Sequence, residues 1–567
     1  MSLVFAIAER GRRADKYRLS GPLPRRPRSP MAKTRLTTLL PAALLALAPA
    51  LGCKGGDARA AADARVLRLA MAEEPPDLNS TRATDQVSNW VLGHVMEGLT
   101  RYGRNGEIVP GVAESWELGE TRAVFHLRAD ARWSDGSPVT AADFVFAWRT
   151  AVDPKTASEY AFILYPVKNA EAVNQGKLPV TALGAKARDP RTLEVELERP
   201  TGIFLGLTAF STYLPIKEAF YAERPGRYAA DAKDLLSNGP FVLTGWVHAA
   251  SMTFERNARY WDAAHVEVER IEVPYFTQDP TTRYNLFSDG KIDMTGLDRD
   301  LLGRAQADRF RMKAFAVGSV FYAEFNHRPG KPTANYHLRK AIQLVFDSKE
   351  YVSKVIGIPG NKPGVRLVPG WVPGVEKPFV KEHPVEPVRP DLDGARKELA
   401  LAKAELGGKI PPLVWLTGDS PFTARESEYF QYLFSSRLGI QLRIDKQTFK
   451  QRLAKMTQGD FDIVSAGWGP DYADAMTFAD LFTSWNENNR GRWRNDRYDA
   501  LIRKAQATAD ARTRIDAMAE AERILLDDVG ILPTSEAGSV YVHSPRLSGV
   551  IRHVVGPDPD YSHARIE

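Results

Sequence analysis

The sequence predicts an α/β protein, because short strands of alternating apolar residues are interleaved with helical segments over most of its 567 residues. The strand patterns are clearest at 66–71, 123–128 and 192–197. A Thr-x-x-Asp capping box at Thr140 predicts a helix start. The predicted helices are 141–151, 336–355, 495–508 and 515–527.

The run 461–478 is the clearest candidate for a ligand site. A buried-strand pattern, Phe-Asp-Ile-Val-Ser-Ala-Gly, leads into Trp468 and then into Asp471, with Gly and Pro between them to end the strand. Ligands of α/β proteins bind at the carboxyl ends of strands, so an indole and a carboxylate there suit a ligand with an apolar body and a cationic end. In the alternative interpretation the Trp is a core residue and the aspartates are caps, and Asp474 in particular is expected to cap a turn or a helix at 476–482.

The N-terminal region predicts export. A short basic segment from Met31 precedes an apolar stretch at 36–50, which two prolines interrupt and which is too short to span a bilayer. The stretch ends at Gly52-Cys53, as a lipoprotein signal does, so Cys53 is the predicted lipidation site. Residues 1–52 are therefore interpreted as a leader and signal peptide, with Met31 as a candidate true start, and 53–65 as a flexible Gly/Ala-rich tether.

Cysteine content and charge exclude several function classes. Cys53 is the single cysteine, so the mature chain has neither a disulfide nor a thiolate metal site. Without residues 1–52 the chain carries 66 basic and 68 acidic residues, so the basic pI near 9.0 belongs to the leader. This balance gives no argument for nucleic-acid binding.

Motifs for catalysis, metals and cofactors do not stand out. The sequence has no G-x-S-x-G, H-E-x-x-H, G-x-G-x-x-G or P-loop pattern. An S-x-x-K match at Ser288–Lys291 lies in a predicted turn. We therefore expect a binding protein without catalytic residues, metal or cofactor, and keep an exported hydrolase as the competing class.

Several motifs in the same order resemble the oligopeptide-binding lipoproteins of ABC importers, within extracellular solute-binding protein family 5. The most recognisable is the segment 125–148, which contains Trp-Ser-Asp-Gly and Thr-Ala-Ala-Asp-Phe. Further matches cover nearly the whole mature chain: 97–102, 110–116, 237–241, 255–261, 289–293, 338–347, 461–478 and 498–502.

The resemblance implies a two-lobed, type II-like periplasmic-binding fold with a hinge and an inserted extra domain. Lobe I would comprise 66–95, 220–316 and 537–567, the inserted domain 96–219, and lobe II 317–536. Two chain crossings near 316–320 and 533–538 would form the hinge.

The resemblance also implies which residues contact ligand. Asp471 would bind the α-ammonium group of a peptide and Trp468 would form the cleft wall beside it. Tyr322 and Glu324 match cleft positions next to the hinge, and Tyr160 matches a cleft tyrosine of the inserted domain. Each of these Tyr and Glu residues could instead be a hydrogen-bonded residue between domains.

Departures from the family pattern concern the other end of the ligand. Ser465 stands where some members carry Arg, and Lys446 replaces a cleft Trp. A Tyr-rich strand is replaced by 534–539, and the loop 417–422 has no His. How the ligand's carboxyl end is held is therefore left open.

The resemblance implies an extracytoplasmic, lipid-anchored, monomeric binding protein that delivers oligopeptides to an ABC permease, in the periplasm or at the cell surface. The alternatives on the same fold are a binder of nickel complexes, oligosaccharides, murein peptides or a signalling peptide, or else an exported chaperone or the ligand-binding subunit of a sensor.

Overall fold

The computed structural model describes residues 65–567, and its strands form three larger sheets. Cys53, the signal peptide and nearly all of the predicted tether lie outside the described residues. The strands are β1 (Val66–Met71), β2 (Thr100–Tyr102), β3 (Ile108–Pro110), β4 (Ala113–Leu118), β5 (Arg122–Leu127), β6 (Ala185–Asp189), β7 (Thr192–Glu196), β8 (Phe241–Val247), β9 (Ser251–Arg256), β10 (Arg270–Phe276), β11 (Met294–Leu297), β12 (Lys313–Phe325), β13 (Lys362–Pro363), β14 (Leu413–Thr417), β15 (Leu442–Lys446), β16 (Ile463–Trp468), β17 (Ile531–His543), β18 (Leu547–Ser548) and β19 (Arg565–Ile566).

The helices confirm most of the predicted ones, with shifted ends. The α-helices are α1 (Gln86–Val95), α2 (Ala141–Val152), α3 (Ala170–Asn174), α4 (Phe204–Leu207), α5 (Glu218–Ala222), α6 (Pro280–Ser288), α7 (Arg299–Ala307), α8 (Tyr336–Val345), α9 (Ser348–Tyr351), α10 (Phe379–Glu382), α11 (Leu392–Glu405), α12 (Pro421–Leu438), α13 (Phe449–Gln458), α14 (Met476–Ala479), α15 (Asp496–Gln506) and α16 (Ala511–Asp527).

The predicted continuous helix 336–355 is wrong. Helix α8 ends at Val345, and Phe346 is extended. The Asp347 carboxylate then accepts hydrogen bonds from the backbone N–H groups of Lys349 and Glu350, so it acts as the N-cap of a new helix. A capping aspartate inside an apolar periodic pattern therefore divides the segment in two.

The first sheet, in the order β1-β10-β9-β8, combines the start of the described chain with residues 241–276. Strand β1 is parallel to β10, whereas β10, β9 and β8 are antiparallel neighbours. The second sheet, β4-β5-β7-β6, is antiparallel throughout, and helix α2 packs on it through buried Phe144 and Trp148. This helix begins with the predicted capping box of Thr140 and Asp143.

The third sheet contains the candidate strand β16 in its interior. Its order is β11-β17-β12-β16-β14-β15, with β13 paired to β17. Strands β14, β15 and β16 are parallel and are connected by α12 and α13, while β16 is antiparallel to β12. Such a helix-connected parallel arrangement exposes the ends of its strands to ligands.

Strands β12 and β17 are adjacent in this sheet and are long, with 13 residues each. They pair as an antiparallel ribbon whose register shifts between Ala316 and Val320 and again at Phe321 and Tyr322. A register shift marks a locally disrupted ladder, which is where a long ribbon bends most easily.

Within residues 65–567, every helix is too short or too polar to span a lipid bilayer.

Candidate functional site

Strand β16 provides a rigid base for the candidate site. Ile463 and Val464 are buried, because the strand lies between β12 and β14 in the sheet interior. The strand ends at Trp468, and Gly469 and Pro470 turn the chain away from the sheet. The predicted order of strand, turn and carboxylate is confirmed at this point.

Asp471 is a buried carboxylate at the end of this strand. It is 3% exposed, and the Tyr160 hydroxyl donates a hydrogen bond to its Oδ1 at 3.2 Å. Its own backbone N–H donates to Thr477 Oγ1 at 3.0 Å. Among residues 65–567 no basic side chain forms an ion pair with it. Burial and the nearby Asp480 carboxylate raise the pKa of Asp471 well above its ordinary value, although the hydrogen bonds from Tyr160 and Thr477 oppose this.

Aromatic rings form the wall beside this carboxylate. The Tyr160 and Trp468 rings are parallel within 5°, with centroids 6.2 Å apart. Phe210 stacks on Tyr160 with a centroid distance of 5.3 Å. Tyr160 and Phe210 belong to the region 96–219, whereas Trp468 belongs to β16, so segments distant in sequence meet here.

Tyr322 and Glu324 lie on strand β12 and point to the same face, since they are two residues apart. The Tyr322 ring packs edge-on against the Phe482 ring, with the ring centroids 5.6 Å apart. Glu324 Oε1 accepts the backbone N–H of Gly491 at 2.5 Å, and burial raises its pKa to about 7. Both side chains therefore have structural contacts as well as a place at the cavity.

The five predicted site residues line two adjoining cavities. Tyr160, Tyr322, Glu324 and Trp468 line the larger one, which has a volume of about 580 Å³. Asp471 instead lines a neighbouring cavity of about 250 Å³. The two cavities share three lining residues, Gln86, Ser319 and Gly469. The site thus has a roomy chamber and a smaller acidic one at the end of β16.

Asp474, which the sequence predicted to be a cap, has a structural role. Its Oδ1 accepts the backbone N–H of Met476 at 2.8 Å. Its carboxylate also forms two hydrogen bonds to the Arg514 guanidinium, at 2.5 and 2.8 Å. The predicted helix 476–482 is shorter than expected and ends at Ala479.

Sequence reasoning missed four charged residues of the larger cavity, Asp85, Glu426, Arg452 and Arg490. Arg452 and Glu426 lie on α13 and α12, and Arg490 follows α14. Glu73 lines a separate cavity but lies close enough to Arg452 to interact with its charge, and burial raises the pKa of Glu73 to about 7. The capping box at Thr448 could have located α13, but no pattern indicated which of its residues face the cavity.

Metal ligation has no support in the described residues. No group of three or more His, Cys, Asp and Glu side chains within 65–567 is arranged to hold a metal ion. The Ser288–Lys291 segment forms the end of α6 and a turn in which Gly290 has a φ of 68°. This confirms the turn that the sequence predicted there.

Comparisons with known proteins identify the family. The profile described as bacterial extracellular solute-binding proteins, family 5 Middle, matches residues 107–490. The oligopeptide-binding protein OppA of Bacillus subtilis (strain 168) is 32% identical over 498 residues, which cover 86% of this chain and 90% of that protein.

Solved structures give the same result. An oligopeptide ABC transporter substrate-binding domain from Bacillus anthracis str. Ames has a TM-score of 0.85 and 36% identity, and the match covers 88% of this chain and 98% of that one. Listeria monocytogenes OppA bound to peptide has a TM-score of 0.84 and 33% identity, over 88% and 99% of the two chains. The predicted two-lobed, type II-like periplasmic-binding fold is thereby confirmed. The chain belongs to the bacterial extracellular solute-binding proteins of family 5.

Proposed function

We propose that this protein captures oligopeptides outside the cytoplasm and delivers them to the permease of an ABC importer. The observation that carries this function is the buried carboxylate of Asp471, which has no cationic partner in the described part of the chain. The chain's similarity to an oligopeptide-binding protein and to an OppA bound to peptide supports this function. The protein acts as a binder and not as a catalyst.

Asp471 is the proposed partner of the peptide's α-ammonium group. At about 4 Å and an effective dielectric constant near 20, the attraction between two unit charges is about 4 kcal/mol before desolvation is counted. An ammonium group buried without such a partner is strongly disfavoured. Because burial already raises the pKa of Asp471, an incoming cation would restore its charged form.

The remaining predicted residues are proposed to form the walls of the cleft. Trp468 and Tyr160 supply flat apolar surface beside the ammonium site, and Tyr322 and Glu324 line the chamber near β17. We propose that the chamber closes between lobe I (66–95, 220–316, 537–567) and lobe II (317–536), with 96–219 as an inserted domain. The register shifts of the β12–β17 ribbon support a hinge near 316–320 and 533–538.

We further propose that the mature protein is a lipid-anchored monomer, held at the membrane through Cys53. Replacing Cys53 with Ser should release the protein from the membrane fraction into the extracytoplasmic fluid. Fractionation followed by immunoblotting would measure this, and wild-type protein that stays unprocessed in the cytoplasm would exclude it.

The peptide function is tested by calorimetry on ligand-free protein with equal-length peptides that have free or N-acetylated amino ends. We expect acetylation to weaken binding by about tenfold or more, since it removes the charge that Asp471 would neutralise. Equal affinities for the free and the acetylated peptides would show that Asp471 is not the partner of the ammonium group. Native mass spectrometry of freshly purified protein would reveal a retained murein peptide, signalling peptide or nickel complex instead.

A further inference from the structure

Another cavity lies where the region 96–219 meets the segment that follows strand β16. Its volume is about 320 Å³, which is within the range of small-molecule sites. Its lining comes from residues 162–207 on one side and from residues 472–514 on the other. Within residues 65–567, it shares no lining residue with the two cavities at the end of β16. A molecule in this cavity would therefore not occupy the place proposed for the peptide.

Asp480 brings a carboxyl group without a counter-charge to this cavity. The residue is 7% exposed, and its backbone is fixed because its carbonyl accepts hydrogen bonds from the Asn486 side chain and the Thr483 hydroxyl. Within residues 65–567 no basic side chain forms an ion pair with it, and the nearby Arg514 is bound to Asp474 through two hydrogen bonds. Burial and the Asp474 charge raise the pKa of Asp480 to about 8, so an entering cation would favour its charged form.

Arg199 brings a positive charge to the same cavity from the other side of the interface. It follows strand β7 and is half-buried. Among residues 65–567 its guanidinium has neither a hydrogen bond nor an ion pair, and the acids that act on its charge are Glu171 and Glu198. Glu171 is bound to Arg503 at 2.7 Å, and Glu198 accepts the backbone N–H of Asn169 at 3.0 Å. The N–H donors of this guanidinium are therefore available to an anionic group.

The rest of the lining is mostly apolar and includes four aromatic side chains, those of Phe162, Tyr165, Tyr472 and Trp485. Gln506 Oε1 is buried in the same lining and accepts no hydrogen bond within residues 65–567. A buried acceptor without a donor is costly, so a ligand N–H group that reached it would remove that cost. The lining thus combines apolar walls with polar groups that lack partners.

We propose that this cavity binds a second, small ligand, a zwitterion with an apolar body such as a free amino acid with an aromatic side chain. Its ammonium group pairs with Asp480, its carboxylate pairs with Arg199, and its body contacts the aromatic walls. The two unpaired charges determine this class, because buried charges need partners. A simple amine would leave Arg199 unpaired, and a simple carboxylic acid would leave Asp480 unpaired. A dipeptide carries the same two charges, so the experiment compares both sources.

The test is calorimetry on protein saturated with an alanine pentapeptide, which fills the cleft at β16. L-Phenylalanine and the dipeptide Gly-Phe are compared with phenethylamine, which lacks the carboxylate, and with 3-phenylpropionate, which lacks the ammonium group. We expect one equivalent of a zwitterion to bind, and each singly charged analogue to bind about tenfold more weakly or less. The zwitterion with the higher affinity identifies the length that the cavity accepts.

Two variants test the two charges separately. Asp480→Asn should weaken zwitterion binding by about tenfold and should no longer distinguish phenylalanine from 3-phenylpropionate. Arg199→Gln should weaken it similarly and should no longer distinguish phenylalanine from phenethylamine. Arg497→Gln, which changes an exposed arginine of α15, is the matched control and should behave like wild type. Thermal unfolding without ligand checks that each variant is folded.

The outcomes separate this inference from the peptide function. Wild type that binds neither zwitterion at millimolar concentration would overturn it, as would equal binding of phenylalanine and both analogues. Binding that the pentapeptide displaces, or that Asp471→Asn removes, would belong to the cleft at β16 and would also overturn it. Wild type that binds phenylalanine but no peptide would leave this site standing and exclude the peptide function.

Discussion

Asp143 and Asp471 are both buried aspartates at the start of helical turns, and they differ in where their hydrogen-bond donors come from. Asp143 Oδ2 accepts from the Thr140 backbone N–H, the Thr140 hydroxyl and Trp133 Nε1, at 2.8 to 3.2 Å. All three donors lie within ten residues of it. Asp471 accepts from Tyr160, which is 311 residues away.

This difference separates a structural aspartate from the one that we propose binds ligand. The segment 125–148 is the most recognisable part of the chain, yet its aspartate is used by the fold itself as a helix cap. Among residues 65–567, the Asp471 carboxyl is held by the neutral hydroxyl groups of Tyr160 and Thr477, so its charged form has no counter-charge until a cation enters. A carboxylate that the fold has not neutralised is the better candidate for binding a cation.

The largest expected effect is on peptide affinity in Asp471→Ala. Affinity for free-amine peptides should fall by about tenfold or more, because the buried ammonium would lose its counter-charge. The melting temperature of the ligand-free protein should stay the same or rise, since a buried carboxylate without a cation is removed. Calorimetry and thermal unfolding measure the two quantities. A fall in stability with unchanged peptide affinity would show that Asp471 is a structural residue and not the ammonium partner.

The matched substitution Asp143→Ala should have the opposite profile. Loss of the capping box and of the Trp133 contact is expected to cost about 1–3 kcal/mol of stability. Peptide affinity of the remaining folded protein should stay within about twofold of wild type. A tenfold loss of affinity in this variant would place a ligand-dependent role in the 125–148 segment.

The smallest expected effect is on the pH dependence of stability. Burial raises the pKa of Asp480 to about 8 and that of Glu324 to about 7, above their values of about 4 in the unfolded chain. Their stabilising contribution is therefore full below about pH 4 and is lost as the pH rises through 7 to 8. The melting temperature of ligand-free protein should rise by a few degrees between pH 8 and pH 6.

Glu324→Gln provides the control for this pH effect. It removes one of the carboxyl groups whose pKa burial raises into this range and should flatten the curve between pH 8 and pH 6, as measured by thermal unfolding in matched ionic strength. A wild-type melting temperature that falls over the same interval would contradict the assigned directions.

Local patterns in the chain were sufficient for much of its secondary structure and for the strand–turn order that leads to Asp471. The alternating strand at 66–71, the cap at Thr140 and the strand–turn order at 463–471 depend on neighbouring residues, so they can be read without knowing the fold. The family likewise follows from short motifs, such as those at 125–148 and 461–478, that can be recognised in one sequence. The break at Asp347 was also a local signal, but the apolar periodicity on both sides of it concealed it.

Contacts between distant segments could not be read in this way. Tyr160 meets Asp471 and Trp468 only because the region 96–219 packs against the end of β16. Asp480 and Arg199 line one cavity because the same region packs against the segment that follows β16. Burial and the distances between charges determine which groups remain without a partner, and both arise only when the chain has folded.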